Sequence, residues 1–344
     1  MSTDPSLTAF VTGSTGLLGS NLVKLLLDRG HKVVALTRSQ EKAQAQLGNS
    51  LQLKIVCGDI EDNASFADAL AGCDVLFHCA AYFREYYSSG DHWAKLERIN
   101  VRGTLDLLNR AEAAGIQRTI YISSSGVISP RQDDKPGTES DIYPRDAKIE
   151  NLYFKSKVAA EYAIAEWLKT HSHEVISILP TWMHGPQDAA PTAAGQLVID
   201  FLNRNLPAIP PGGSAVVDAR DVALAALVAV DCGRSGERYI ITNRFVSLVE
   251  INALLERVSG VPASKIHLTY PMALGMAWIV QTIAKLQRKN ALITVKNIRT
   301  IKKRHEIDGS KALRELGVQP RSLEDTFRDS VAWMQKYRST EINL

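Results

Sequence analysis

The sequence predicts an α/β fold, a doubly wound parallel sheet with a smaller C-terminal lobe interleaved into it, on three observations. Short β-rich runs alternate with helical patterns through residues 8–180. The first run ends in a glycine-rich turn that opens directly into an apolar-periodic helix. Beyond Pro180 the alternation gives way to a proline- and glycine-dense stretch, and then resumes once.

In chain order, residues 8–12 (TAFVT) read as a strand, 17–29 as a helix, and 31–37 and 54–56 as strands. Residues 66–71 read as a helix, 75–80 as a strand, 91–114 as a long helix and 118–123 as a strand. A helix over 151–170 and a strand over 174–179 follow. Strands separated by helices of this length need crossover connections, and those make neighbouring strands parallel. Residues 181–214 hold Pro186, Pro191, Pro207, Pro210, Pro211, Gly212 and Gly213, so loops are expected there around one short helix at 194–202. A helix at 219–230 and a strand at 237–242 return to the sheet pattern. The expected division is a dinucleotide-binding domain of residues 1–180, rejoined by 215–245, and a substrate-binding lobe of 181–214 and 246–344.

The chain has 344 residues, 45% hydrophobic and 22% charged, which suits a folded core and excludes a disordered or collagenous protein. Lys and Arg number 40 against 37 Asp and Glu, a net charge of +3, and the basic residues form no single long run. That disfavours a nucleic-acid binder. The four cysteines, Cys57, Cys73, Cys79 and Cys232, lack CxxC spacing, and the eight histidines are scattered. No metal site is expected, and a reducing, cytoplasmic setting fits. The uncharged stretch 268–284 is too short to span a bilayer. With Lys285, Arg288 and Lys289 after it, it could rest on a membrane surface, but it is uncharged all round, and we read it as a buried wall of the substrate-binding lobe.

The turn after the first strand, Gly13-Ser14-Thr15-Gly16-Leu17-Leu18-Gly19, is a GxxGxxG loop. Its glycines allow a tight turn and close approach of backbone to a pyrophosphate, and the helix N-terminus offers unpaired N–H donors to the anion. The loop's place between strand and helix marks a Rossmann-type dinucleotide site. At the end of the second strand stands Arg38. An acidic residue there would bond a ribose 2′-OH, whereas arginine pairs with a 2′-phosphate, so the expected cofactor is NADP, with NAD the alternative. Asp59 and Ile60, after the third strand, are placed to meet the adenine; a plain turn aspartate is the competing reading of Asp59.

Tyr153 and Lys157 lie four apart on one face of a predicted helix. With 10 Tyr in the chain, that spacing arises by chance about once in every two such chains, so its context carries the weight. The preceding strand ends in Ser123-Ser124-Ser125, which sets hydroxyls at the carboxyl edge of the sheet, where doubly wound folds bind ligands. Tyrosine ionises well above neutrality in water, and a lysine ammonium one turn away supplies the charge that makes it usable as an acid or base.

The glycine loop, the serine-rich strand end, the Tyr153/Lys157 pair, Leu179-Pro180-Thr181, Gly185-Pro186 and the late Asp308-Gly309-Ser310-Lys311-Ala312 together resemble the extended short-chain dehydrogenase/reductase family (the NAD-dependent epimerase/dehydratase superfamily). The resemblance spans nearly the whole chain. It implies that Ser125, or Ser124 if the register differs by one, bonds the substrate oxygen and that Tyr153 moves the proton. It also implies that Lys157 holds the nicotinamide ribose, with Asn100 in support. Ala80 and Ala81 would border the cofactor, and Pro180 would line the nicotinamide. A homodimer built on two long helices is a further implication.

Within that family, dehydratases place Asp-Glu after the hydroxyl residue, where this chain has Gly126-Val127. Nucleotide-sugar epimerases carry an arginine shortly before the late helix. Here no arginine stands between Gly212 and Val216, and Arg220 adjoins Asp221 at a helix start. The segment looks more like the dihydroflavonol reductase and 3β-hydroxysteroid dehydrogenase branches. The expected activity is hydride transfer between a nicotinamide and the carbonyl or secondary alcohol of a hydrophobic small molecule. An epimerase with tightly held NAD is the alternative, and a cofactor-binding sensor without turnover is disfavoured because Tyr153 and Lys157 are both present. Tyr82, Phe83, Tyr86, Tyr87 and Trp93 are either candidate substrate contacts or a satellite core under a loop, and Met183 and His184 are further candidate contacts, with no chemistry expected of the histidine.

Overall fold

The computed structural model describes residues 6–83, 92–133, 135–286, 295, 298 and 306–341. Seven parallel strands make the main sheet: β1 (Thr8–Thr12), β2 (Lys32–Thr37), β3 (Leu53–Cys57), β4 (Val75–His78), β5 (Arg118–Ile122), β6 (Glu174–Pro180) and β9 (Arg238–Ile241). Their order is β3-β2-β1-β4-β5-β6-β9, with the reversal at β1 and β4 that gives a doubly wound fold its ligand crevice.

The inner strands are largely apolar on both sides because both faces are covered, whereas the edge strand β3 leaves Lys54 and Cys57 exposed. Ala9 and Val11 of β1 join one core with Leu18, Leu22 and Leu26 of α1 (Leu17–Asp28) and Val222 and Ala226 of α7 (Ala219–Cys232). Phe10, between them, points to the other face and packs with Phe66, Leu70 and Leu107. On that second face lie α4 (Thr104–Ala113) and α5 (Leu152–Trp167).

The long helix expected over 91–114 is composite. A short α3 (Trp93–Glu97) passes through a π-helical segment, Arg98–Gly103, into α4. Between β3 and β4 the helix expected at 66–71 spans Asn63–Leu70 and is of the tighter 3₁₀ kind. A further helix, α2 (Gln40–Leu47), follows Arg38; it buries only Ala43 and is started by the Ser39 hydroxyl, which accepts the Lys42 N–H at 3.4 Å.

The segment 181–214 is more ordered than its breakers suggest. β7 (Trp182–His184) pairs in parallel with β8 (Gly213–Asp218), which pairs antiparallel with β10 (Arg244–Ser247), and α6 (Ala193–Leu202) packs nearby. Residues 215–218 therefore belong to this small sheet, and the chain rejoins the main sheet from Ala219. The lobe's own core joins α6, α8 (Leu248–Ser259) and α11 (Leu323–Glu341) through Val198, Phe201, Ile251, Leu255, Phe327 and Val331. Between them, α10 (Ser310–Leu316) sends Ala312 and Leu316 back into the main core.

The apolar stretch forms α9 (Tyr270–Leu286), and it is not a buried wall. Ala273 and Ala277 are buried against Ile298, with Tyr270 and Leu274 partly covered beside them, while Met272, Trp278 and Ile279 face solvent. No second element among the described residues packs over that side. Among the described residues, no helix is long and apolar enough to cross a membrane.

Candidate active site

The glycine loop is built by close packing. Gly13 has φ +65°, and a Cβ there would lie 2.8 Å from the Ala80 backbone nitrogen. At Gly19 a Cβ would overlap the Gly13 carbonyl. These contacts bring the start of α1 and the segment after β4 together at the crevice. Gly16 caps α1 without a side-chain hydrogen bond, and the first turn carries no acid, so its N–H groups remain available to an anion. Leu17 and Leu18 bury their side chains beneath the turn. Thr15 is half-buried, and the buried Ser14 hydroxyl donates to the Leu36 carbonyl at 2.7 Å, tying the loop to β2. The residues present fit a pyrophosphate.

Arg38 emerges at the end of β2, exposed and without a hydrogen bond or ion pair among the described residues. Asp59 and Ile60 are half-buried beyond β3, and Asp59 accepts the Glu61 N–H at 3.0 Å, as a turn aspartate does. Ala80 and Ala81 are half-buried beside the glycine loop, and Pro180 is buried where β6 ends.

A buried network that the sequence did not reveal fixes Ala80. Thr104 Oγ1 donates to the Asn100 carbonyl at 2.9 Å, and so accepts from His78 Nε2 at 3.2 Å. His78 Nδ1 then accepts from Thr12 Oγ1 at 2.8 Å, which leaves Thr12 Oγ1 to accept the Ala80 N–H at 3.1 Å. Burial, aided by the Lys157 charge, pushes His78 down to about 3 and keeps it neutral, as this tautomer requires. Its one sequence signal is a polar residue closing the apolar run Val75-Leu76-Phe77.

Asn100, in the π segment, has its whole amide engaged. Oδ1 accepts the Tyr82 N–H at 2.7 Å, and Nδ2 donates to the Tyr82 carbonyl at 3.1 Å and to Ser156 Oγ at 3.0 Å. Ser156 in turn donates to the Tyr153 carbonyl at 2.7 Å. Asn100 thus clips the segment after β4 to the helix that carries Tyr153. Phe83 meets the Tyr153 ring edge-on, centroids 4.9 Å apart. Lys155 sits over the Trp93 ring, whereas Tyr86 and Tyr87 lie outside the described residues.

Asn151 starts α5, its Oδ1 accepting the Tyr153 and Phe154 N–H groups at 3.1 and 3.2 Å. One turn on, Lys157 is 2% exposed, and its ammonium donates to the Ile122 carbonyl at 2.7 Å and to Tyr121 Oη at 3.2 Å. Burial lowers Lys157 to about 8 against the pull of the Glu161 carboxylate. Of the three serines, Ser123 is buried, and Ser124 Oγ is committed to the Gly126 N–H at 3.1 Å. Ser125 is half-buried, and its hydroxyl makes no hydrogen bond among the described residues. A Cβ on Gly126 would overlap the Phe154 ring, so aromatic surface occupies the place of a carboxylate at that position.

Two further residues lie away from this cluster. His184 is buried in the lobe against Trp182 and Phe327, and Met183 packs on the main core. Arg220 is closed into ion pairs with Asp218, at 2.7 Å, and with Asp329, so it is not free to clamp a substrate.

Residues 9–242 match the model of the NAD dependent epimerase/dehydratase family. The chain belongs to that family. A Synechocystis sp. protein provisionally named a dihydroflavonol 4-reductase is 32% identical over 332 residues, 95% of this chain and 94% of its own. Sterol demethylase protein B of Methylococcus capsulatus is 31% identical, covering 96% and 99%. A Mycobacterium tuberculosis 3 beta-hydroxysteroid dehydrogenase/Delta 5-->4-isomerase is 37% identical over 154 residues, 44% of this chain and 40% of its own. Among solved structures, gox2253 superposes with a TM-score of 0.79 at 28% identity, covering 96% of this chain and 98% of that one. UDP-glucuronic acid 4-epimerase from Bacillus cereus gives 0.75 at 21% identity, covering 96% and 99%, a likeness of fold. This member of the epimerase/dehydratase family is an NAD(P)-dependent oxidoreductase acting on hydroxyl or keto groups.

Proposed function

We propose that the enzyme uses NADP to interconvert a carbonyl and a secondary alcohol on a hydrophobic small molecule. The observation that carries the substrate class is the lack of a buried, unpaired cation in residues 181–220. A nucleotide-sugar diphosphate needs arginine or lysine in a partly buried site. Between residues 181 and 219 the one such residue is Arg204, exposed just past α6, and Arg220 is bound to two aspartates. The sterol and flavonol names of the relatives point the same way.

Ser125, with its uncommitted hydroxyl, steadies the substrate oxygen. Tyr153 gives that oxygen its proton in reduction and takes it back in oxidation. When bound, the nicotinamide supplies or accepts the hydride at the substrate carbon. Lys157 uses two of its three donors on β5, leaving one for ribose, and sets positive charge one turn from Tyr153. Asn100 is a positioning residue that holds the Tyr82 backbone against α5. The glycine loop from Gly13 to Gly19 cradles the pyrophosphate, Asp59 and Ile60 meet the adenine, and Ala80, Ala81 and Pro180 border the nucleotide. A cytoplasmic homodimer is the setting we infer.

Two measurements test this reading. In a substrate panel followed by nicotinamide absorbance and NMR, NADPH oxidation is expected with steroid-like and flavonoid-like ketones, and no interconversion of uridine or thymidine diphosphate sugars. Clean sugar epimerisation without net cofactor oxidation would overturn the substrate class. For the cofactor, Arg38→Ala is expected to weaken NADPH binding by a few kcal/mol at most and leave NADH nearly unchanged, while Arg38→Asp shifts preference to NADH. Equal losses for both nucleotides in a fluorescence titration would remove the basis for NADP.

A further inference from the structure

Tyr153 and Lys157 are not the end of their row. Glu161 stands one further turn along α5, so the three residues share one face of the helix. Glu161 is 3% exposed, as deeply set as Lys157. Its Oε2 accepts a hydrogen bond from Arg238 Nε at 2.7 Å, which joins α5 to β9 at the margin of the main sheet. Its Oε1 is buried and accepts no hydrogen bond among the described residues.

Burying a carboxylate is costly, and tying down Arg238 does not require one. The Arg238 side chain is 26% exposed, within reach of water, and an amide oxygen could accept the same bond. The charge has a second use beside it. The Lys157 ammonium is buried on neutral partners, the Ile122 carbonyl and Tyr121 Oη. Burial lifts the Tyr121 hydroxyl well above its ordinary value and the Cys79 thiol to about 12, and it holds His78 near 3, so near pH 8 none of these three is charged. Glu139, which lines one cavity together with Glu161 and Arg238, is turned to the Ile240 N–H at 3.0 Å, and burial raises it. The carboxylate that acts on Lys157 is that of Glu161, without a direct ion pair, across one helical turn of an interior that screens charge poorly.

We propose that Glu161 is a positioning residue that holds the Lys157 ammonium charged at the nucleotide site, with Arg238 fixing its carboxylate in place. That the held charge serves the nucleotide ribose rests on the role proposed for Lys157 above; that the charge is held does not.

The test reads Lys157 directly. In the full chain with ¹³C-labelled lysine, the Cε signal that Lys157→Met lacks is followed against pH, with a native midpoint expected near about 8. Glu161→Gln keeps the shape and an acceptor for Arg238 but removes the charge, and it is expected to lower the midpoint by about one pH unit. Glu161→Asp keeps the charge but draws it back from Arg238, and its midpoint is expected to stay close to native. A residue that merely braced β9 would reverse that order. An unmoved midpoint in Glu161→Gln, or a larger fall in Glu161→Asp than in Glu161→Gln, would overturn the proposal. Should Glu161→Gln fold poorly, Arg238→Gln answers instead: relieving the carboxylate of its other cation is expected to raise the midpoint, and a midpoint unchanged or lowered would equally overturn the proposal. NADPH affinity, read by fluorescence titration, is expected to follow, with Glu161→Gln binding roughly fivefold more weakly than the native chain at pH ~8 and equally at pH ~6. Native affinity indifferent to pH over that range would overturn the ribose role of Lys157, while the carbon signal alone decides the hold of Glu161.

Discussion

Replacing Tyr153 by phenylalanine is expected to lower turnover by ~10² to 10⁴ while leaving nucleotide affinity close to that of the native protein. The substitution removes one oxygen. The Phe83 edge contact, the Asn151 cap and the Asn100–Ser156 link depend on the ring, the backbone and neighbouring residues, so the pocket keeps its shape. The loss should therefore appear in kcat rather than in nucleotide Kd. Near-native turnover by Tyr153→Phe would mean that another group moves the proton, and Ser125 would be the next residue to substitute.

A second large effect concerns Lys157, where folding and function pull in opposite directions. Burial lowers its ammonium from 10.5 to about 8, so the folded protein releases this proton more readily than the unfolded chain does. Between those two values the unfolded state binds more protons, and stability from this group rises with pH, flattening below about 8. Lys157→Met removes that dependence. The stability difference between the two proteins is expected to move in the native chain's favour by roughly 3 kcal/mol across the window, as read by urea unfolding at a series of pH values. A difference that stays flat would show that the ammonium is better compensated by Ile122, Tyr121 and Glu161 than its burial implies. At neutral pH the same variant should also lose turnover and nucleotide affinity, because the charge that burdens folding is the one placed beside Tyr153.

The main sheet was legible because its signals are local. A strand, a tight turn and an amphipathic helix leave their periods and glycines within some thirty residues, as at 8–37, and Tyr153 and Lys157 stand one helical turn apart. The small sheet leaves no such trace. Trp182 and Arg244 both pair with Val216, across intervals that no window joins, and β7 is only three residues long. The helix Gln40–Leu47 was missed because its polar sequence buries Ala43 alone and owes its start to the Ser39 cap. In the site, residue types and positions could be read, but hydrogen-bond commitments could not. Ser124 and Ser125 are equivalent as letters, and only the turn at Gly126 separates them. Likewise the roles of His78 and Asn100 arise from partners at Thr12, Thr104, Tyr82 and Ser156, which are neighbours in space only.

The return of α10 to the main core bears on how a nascent chain acquires this fold. Ala9 and Val11, synthesised well before the C-terminal lobe, share a core with Ala312, Leu316 and Val318. β9 reaches β6 only after β7, α6, β8 and α7 have been made. The nucleotide-binding half therefore cannot finish folding as an early, self-contained unit; part of its apolar surface waits uncovered until residue 318 has been synthesised. Long-range closure of this kind slows folding and prolongs exposure to aggregation, which makes protection during synthesis a need set by topology rather than by final stability.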